Sequence, residues 1–226
     1  ILFWGLVSSA SKVKATEIID DGLRDRIRFN TSTLESPSIE DNMEPHEYQA
    51  ETTRLLSILI DSLYHNKDIF MRELISNAND ALDKVRFQAL RDPTFLDKGP
   101  KDLEILIDVN EEDKTISITD TGIGMTKNEL IENLGRIAKS GTNEFQKLLN
   151  SGDTNLIGQF GVGFYSSFLV ADRVTVVSKS ANDTKQWIWT SASPSQFSVV
   201  EDPRGVTLGR GTSVILKLKD NAYNYL

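Results

Sequence analysis

Four stretches of this 226-residue chain carry side chains spaced for chemistry. The first is Arg72-Glu-Leu-Ile-Ser-Asn-Ala-Asn-Asp-Ala81. Glu73, Asn77, Asp80 and the following Lys84 fall at i, i+4, i+7 and i+11, which is one stripe of a helix. A carboxylate and an amide one turn apart can serve one Mg-nucleotide. The amide oxygen is a hard ligand for Mg²⁺, and the carboxylate can orient and deprotonate an attacking water. Solvated helix faces use the same spacing for i,i+4 pairs, and taken alone the stripe favours that plainer reading.

The second stretch is Ile118-Thr-Asp-Thr-Gly-Ile-Gly-Met125. Asp120 ends a run of alternating residues, and Gly122 and Gly124 allow close approach of a ligand. A buried carboxylate there can accept from the exocyclic amine of a base; the plain alternative is a strand-ending turn. Asp-Thr-Gly also suggests an aspartic protease, but that chemistry needs a second, paired carboxylate motif, and none is visible. The third stretch, Gly158-Gln-Phe-Gly-Val-Gly-Phe164, leads into an apolar run and offers backbone N–H groups to a phosphate. It is neither a Rossmann nor a Lys-containing P-loop pattern. The fourth, Gly209-Arg-Gly-Thr212, reads as a turn opening a strand, with a hydroxyl at Thr212.

Helices and strands must hold these stretches. Leu55, Leu56, Leu59, Ile60 and Leu63 recur at helical spacing. A second helix is predicted from about Ile69 to Leu90, with Leu74, Ala78, Ala81, Leu82 and Val85 as its apolar stripe. Asp92-Pro93 and Gly99-Pro100 then break the chain. Leu103, Ile105 and Ile107 alternate, as do Ile116 and Ile118, so a hairpin is expected across Asn110–Asp113. Val162–Val170 reads as a helix opened by glycines. Arg173–Lys179, Gln186–Thr190, Phe197–Val200 and Thr212–Leu218 read as strands. Clustered strands and clustered helices predict an α+β fold, a mainly antiparallel sheet covered by helices on one face.

Composition narrows the classes. A 39% hydrophobic and 26% charged content is that of an ordinary globular domain. A net charge of −8 argues against a general nucleic-acid binder, which needs Lys and Arg for the phosphate backbone. Without cysteine there is no disulfide or zinc-thiolate site, and His46 and His65 are too few for a histidine-based metal site. No apolar run has the length of a membrane span. Residues 16 to about 44 are acidic and aperiodic, and the domain boundary is placed near Pro45, giving a flexible arm over 1–44 and a folded unit over 45–226. Ile1–Val7 is apolar and Ser8–Ser11 small, which reads as the end of a secretory signal or as a vector-derived leader.

Each stretch is modest alone, but their order and combination are specific. Together they resemble the boxes shared by gyrase, heat shock protein 90, histidine kinases and MutL. Asp68–Lys84, Asn133–Thr142 and Ile157–Ser166 look like the heat shock protein 90 branch almost letter for letter, and the likeness covers about 46–226. It implies ATP or ADP and Mg²⁺ as ligands, and an ATPase domain of a chaperone. Glu73 would be the general base and Asn77 the Mg²⁺ ligand, beside Asp80 and Ala81. Asp120 would read the adenine amine, supported through water by Thr212, with Gly124 and Met125 lining the base pocket. Asn133 and Lys139 would reach the ribose and phosphates, and Gly161, Val162, Gly163 and Phe164 would cradle the phosphates. Residues of about 134–160, with Ser140, Gly141 and Gly152, look like a mobile lid. Client proteins and co-chaperones are the implied partners, and a homodimer would form through regions beyond this chain.

Phe197–Thr212 and Tyr48–Glu51 look like the endoplasmic-reticulum branch of the family. Asn30-Thr-Ser32 and Asn182-Asp-Thr184 are glycan acceptor sequons, which matter only in a secretory compartment. The expected location is therefore the endoplasmic reticulum lumen. Leu148–Leu156 is short, as in cytoplasmic members, which keeps cytoplasm as the alternative. Two function classes stand: an ATPase motor domain, favoured by Glu73, and a nucleotide-gated interaction module in which hydrolysis is incidental. A histidine kinase is disfavoured, because neither histidine sits in a phosphoacceptor-helix pattern.

Overall fold

The structure, a computed structural model, describes residues 42–48, 53, 54, 57, 67–135, 163–193 and 195–226. The leader, the Asn30 sequon, the helix expected around Leu55–Leu63, the lid beyond Gly135, and Lys139, Gly161 and Val162 lie outside the described residues.

The long helix forms as its periodicity predicts. Helix α1 spans Ile69–Arg91 and buries Ile69, Phe70, Leu74, Ala78, Leu82 and Val85, one apolar stripe of a 3.6-residue repeat. It stops where Pro93 excludes Asp92 from the helical region. Asp92 is extended, and its carboxylate accepts from Thr94 N at 3.0 Å, capping a 3₁₀ turn over Pro93–Lys98. Helix α2, Lys127–Gly135, opens with a reciprocal box. Thr126 N donates to Glu129 Oε2 at 2.8 Å, and Glu129 N donates to Thr126 Oγ1 at 3.3 Å.

The strands are β1 Glu44–Glu47, β2 Ile105–Asn110, β3 Thr115–Asp120, β4 Ala171–Lys179, β5 Trp187–Ser193, β6 Gln196–Glu201 and β7 Gly211–Leu218. They form one antiparallel sheet in the order β1-β6-β5-β4-β7-β3-β2. This is the α+β arrangement expected. Alternation gives the sheet two faces. Ile116 and Ile118, Val174 and Val176, Trp189, Phe197 and Val199, and Leu216 pack with α1 and α2 into the main core. Val177, Ile188, Val200 and Ile215 point the other way, into a smaller cluster closed by Leu208.

Two elements differ from expectation. Strand β1 is not predicted by pattern, because Glu44-Pro-His-Glu47 has no apolar alternation. It pairs only with β6, and an edge strand tolerates Pro45 because its missing N–H costs no ladder bond there. The helix expected over Val162–Val170 is a 3₁₀ helix over Gly163–Leu169, with all seven residues buried. Ser166 Oγ and Ser167 Oγ donate back to the carbonyls of Gly163 and Phe164 at 2.5 and 2.7 Å, which favours the tighter coil.

The last segment folds back on α1. A 3₁₀ turn covers Asp220–Tyr225, and Tyr225 Oη donates to Asp68 Oδ1 at 2.5 Å. The Tyr225 ring meets Phe70 edge-on at 5.2 Å. Among the described residues no helix is long and apolar enough to cross a membrane.

Candidate functional site

The apolar face of the sheet changes character along the strands. Reading β3 toward its end, Ile116 and Ile118 give way to Asp120; on β7, Leu216 and Val214 give way to Thr212; on β4, Val174 and Val176 give way to Ser178. Register aligns these ends, because Asp120 lies opposite Thr212 and Thr212 opposite Ser178. A polar row thus caps the core, and its Asp120 and Thr212 form the floor of a cavity of about 890 Å³, within the range of small-molecule sites.

Asp120 is 6% exposed. Its Oδ1 accepts from Gly122 N at 2.8 Å. Burial pushes its carboxyl up to about 7, against the N–H groups of Gly122 and Thr212, which pull it down. Thr212 Oγ1 lies 2.8 Å from Ser178 Oγ, which also accepts from Met125 N at 2.8 Å.

The Gly122–Met125 turn forms one side of the site. Ile123 N donates to the Ala81 carbonyl at 3.2 Å, and Ala181 N donates to the Ile123 carbonyl at 3.0 Å. Gly124 has φ +66°, and a Cβ there would run into the Lys179 carbonyl, so only glycine fits. Arg210, fully buried, holds the turn from behind. Its Nε donates to the Thr121 and Gly122 carbonyls, both at 3.2 Å, and its Nη2 to the Pro100 carbonyl at 2.6 Å.

Helix α1 supplies the facing wall with Asn77, Asp80, Ala81 and Lys84. Helix α2 adds Asn133, whose Nδ2 lies 4.0 Å from Met125 Sδ, with Glu129 and Glu132 beside it. Gly163 and Phe164 close the inner end.

Of the expected residues, Asn77, Asp80, Ala81, Asp120, Gly124, Met125, Asn133, Gly163, Phe164 and Thr212 therefore line one cavity. Glu73 stands apart from its stripe-mates. It is 6% exposed and is not on the cavity wall. Arg72 Nη2 pairs with its Oε1 at 3.1 Å, and its Oε2 lies where a Cβ on Gly163 would have to go. Glycine at 163 is what lets the chain pass this carboxylate. Sequence reasoning missed Ser178, which lies in an apolar strand, and Ser180. Asn182, read only as a sequon, lies in an exposed turn on the cavity rim, its Oδ1 accepting from Lys98 Nζ at 3.4 Å.

The cavity joins a buried carboxylate at Asp120 to a helix wall that presents an amide at Asn77 and a cation at Lys84. Residues 69–209 match the family described as histidine kinase-, DNA gyrase B-, and HSP90-like ATPase. The chain is similar to endoplasmin homologs from Arabidopsis thaliana (52% identical over 204 residues, 89% of this chain) and Dictyostelium discoideum (51% over 195 residues, 85%). It is 53% identical over 204 residues, 89% of its length, to one from Catharanthus roseus. In each case the match covers 25% of the relative, so the chain spans about a quarter of the length of these proteins. The amide-bearing helix and two of the floor residues, Asp120 and Ser178, fall within the matched span, and the chain belongs to the HSP90-like ATPases.

Proposed function

We propose that residues of about 45–226 form the nucleotide-binding domain of a chaperone that binds Mg-ATP, hydrolyses it and assists the folding of client proteins. The observation that carries this reading is buried Asp120 at the floor of the cavity, opposite a helix that presents Asn77. Asp120 accepts from the adenine amine, and Thr212 supports the contact. Gly124 and Met125 flank the base, with Asp80 and Ala81 along α1. Asn133 and Lys139 reach the ribose and phosphates, and Gly161, Val162, Gly163 and Phe164 approach the phosphates through backbone N–H groups. Residues of about 134–160 act as a lid. Glu73 is the general base.

The donor set fits Mg²⁺ held mainly by the nucleotide. Among the described residues no cluster of three acidic or histidine ligands exists, while Asn77 offers one hard oxygen beside Asp80. Mg²⁺ commonly takes one or two protein oxygens and completes its shell with phosphates and water. Bound there, it would neutralise charge on the phosphates facing an acidic wall of Asp80, Glu129 and Glu132.

Thermal unfolding with and without Mg-ATP tests the proposal. A ligand at a hundred times its dissociation constant stabilises the fold by about 2.7 kcal/mol, several degrees for a domain of this size. An unchanged midpoint at millimolar Mg-ATP would sink the reading.

The relatives' name, endoplasmin homolog, and the two sequons support a place in the endoplasmic reticulum lumen. Asn182 meets the structural requirement for modification, since its turn is exposed. Purified from its own cell, the full-length protein is expected to carry a glycan on Asn182 or Asn30, seen as a mass shift that glycosidase removes. An unmodified protein recovered from cytosol would overturn this location. Client proteins, co-chaperones and a homodimer belong to the longer protein and are proposed on the same likeness.

A further inference from the structure

The hydroxyls at the cavity floor form one proton-sharing unit. Ser178 is fully buried, and its Oγ has three neighbours: Met125 N at 2.8 Å, Thr212 Oγ1 at 2.8 Å and the Gly211 carbonyl at 3.3 Å. A serine hydroxyl has one proton and two lone pairs. Met125 N–H occupies the first lone pair, since an amide can only donate. Two arrangements remain. Thr212 can donate into the second lone pair while Ser178 donates to the Gly211 carbonyl. Alternatively Ser178 donates to Thr212, and the Gly211 carbonyl loses this donor. The first uses every lone pair and proton of Ser178, and a buried polar group left short is costly. It spends the only proton of Thr212. Thr212 then faces the cavity with lone pairs alone, next to the carboxylate of Asp120 directly across the strand pair.

We propose that Ser178 is a positioning residue that fixes Thr212 as a hydrogen-bond acceptor, so that the floor selects a base edge bearing an amine over one bearing a carbonyl. The inference rests on the reading above, in which Asp120 faces the base. Two adjacent acceptors repel a 6-oxo group. An amine, or a water bridging to the ring, can donate to both.

Calorimetric titration of the chain with Mg-ATP and Mg-ITP tests this; the bases differ by amine and carbonyl at position 6 and by an N1 that accepts in ATP and carries a proton in ITP, a difference every variant shares. Ser178→Ala frees the Thr212 O–H to donate to the carbonyl. The ATP-to-ITP affinity ratio is expected to fall roughly tenfold, about the worth of one net hydrogen bond, with ITP binding more tightly than to the wild type. Ser178→Thr, which keeps the hydroxyl, should retain the wild-type ratio. In a Thr212→Val background, adding Ser178→Ala should leave the ratio unchanged, because no hydroxyl remains to be freed. The ratio is read within each variant, so a general loss of stability does not imitate it. If Ser178→Ala weakens both nucleotides equally, Ser178 is only structural and the inference is overturned. If Asp120→Asn binds ATP as the wild type does, the base reading itself fails, whatever Ser178 does.

Discussion

Asp120→Asn is expected to abolish ATP and ADP binding while raising the thermal stability of the ligand-free domain above neutral pH. The two effects share one cause. Asp120 is buried, and burial lifts its carboxyl to about 7. The unfolded chain ionises it near the ordinary value of about 3.9. Between those values the folded form keeps a proton that the unfolded form has lost, so this group's contribution to stability falls as pH rises through the window. Above about pH 7 the full penalty of an ionised, desolvated carboxylate is present, on the order of 2–4 kcal/mol. An asparagine keeps the oxygen that accepts from Gly122 N and carries no charge. Its gain in unfolding temperature should be near zero at pH 4 and largest at pH 8. Its NH₂ meanwhile meets the donor of the base, leaving unpaired polar groups at about 1–3 kcal/mol each. Parallel unfolding and titration series across pH check both halves. Near-normal ATP affinity in a folded Asp120→Asn protein would remove Asp120 from the base site.

Glu73→Gln is expected to leave ATP affinity within a few-fold of wild type and to lower single-turnover hydrolysis by a factor on the order of 10²–10⁴, the usual worth of a positioned general base. The substitution keeps the volume that Gly163 accommodates. The effect should be larger in a chain extended toward the length of its relatives than in these 226 residues. Here Glu73 is engaged by Arg72 and lies off the cavity wall, and Lys84 is the only cation among the described lining residues. Phosphoryl transfer needs charge stabilisation at the γ-phosphate as well as a base, and a supplied arginine can add about 10³–10⁵ in rate. Hydrolysis equally fast in the short and the extended chains would show that the site is complete within this one.

Much of this site is legible in the sequence because its parts follow simple periods. The stripe of α1 and the alternation of Ile116, Ile118 and Thr212–Leu218 leave few choices for which side faces inward. Pairing is another matter. Ser178 reads as one polar residue in an apolar strand, and only the register of β4 on β7 sets it beside Thr212. The fate of Glu73 is equally hidden. A helical stripe fixes a direction, whereas the Gly163–Leu169 segment packed on the first turns of α1 decides that Glu73 is buried while Asn77 and Asp80 reach the cavity. Pro45 argues against a strand in local terms, and only an edge position reconciles it with the sheet.

The Tyr225–Asp68 contact ties the end of the last segment to the start of α1. A load on the last residues has two routes into the fold: along the backbone through Lys219 into β7, and through Tyr225 into α1. The second route runs through a phenol–carboxylate bond and an aromatic contact to the residues that begin α1, five positions before Glu73 and nine before Asn77. The helix is continuous over its 23 residues, so that route leads to the wall that carries Asn77 and Asp80. The backbone route leads along β7 to Thr212, so one six-residue segment is joined to both sides of the cavity.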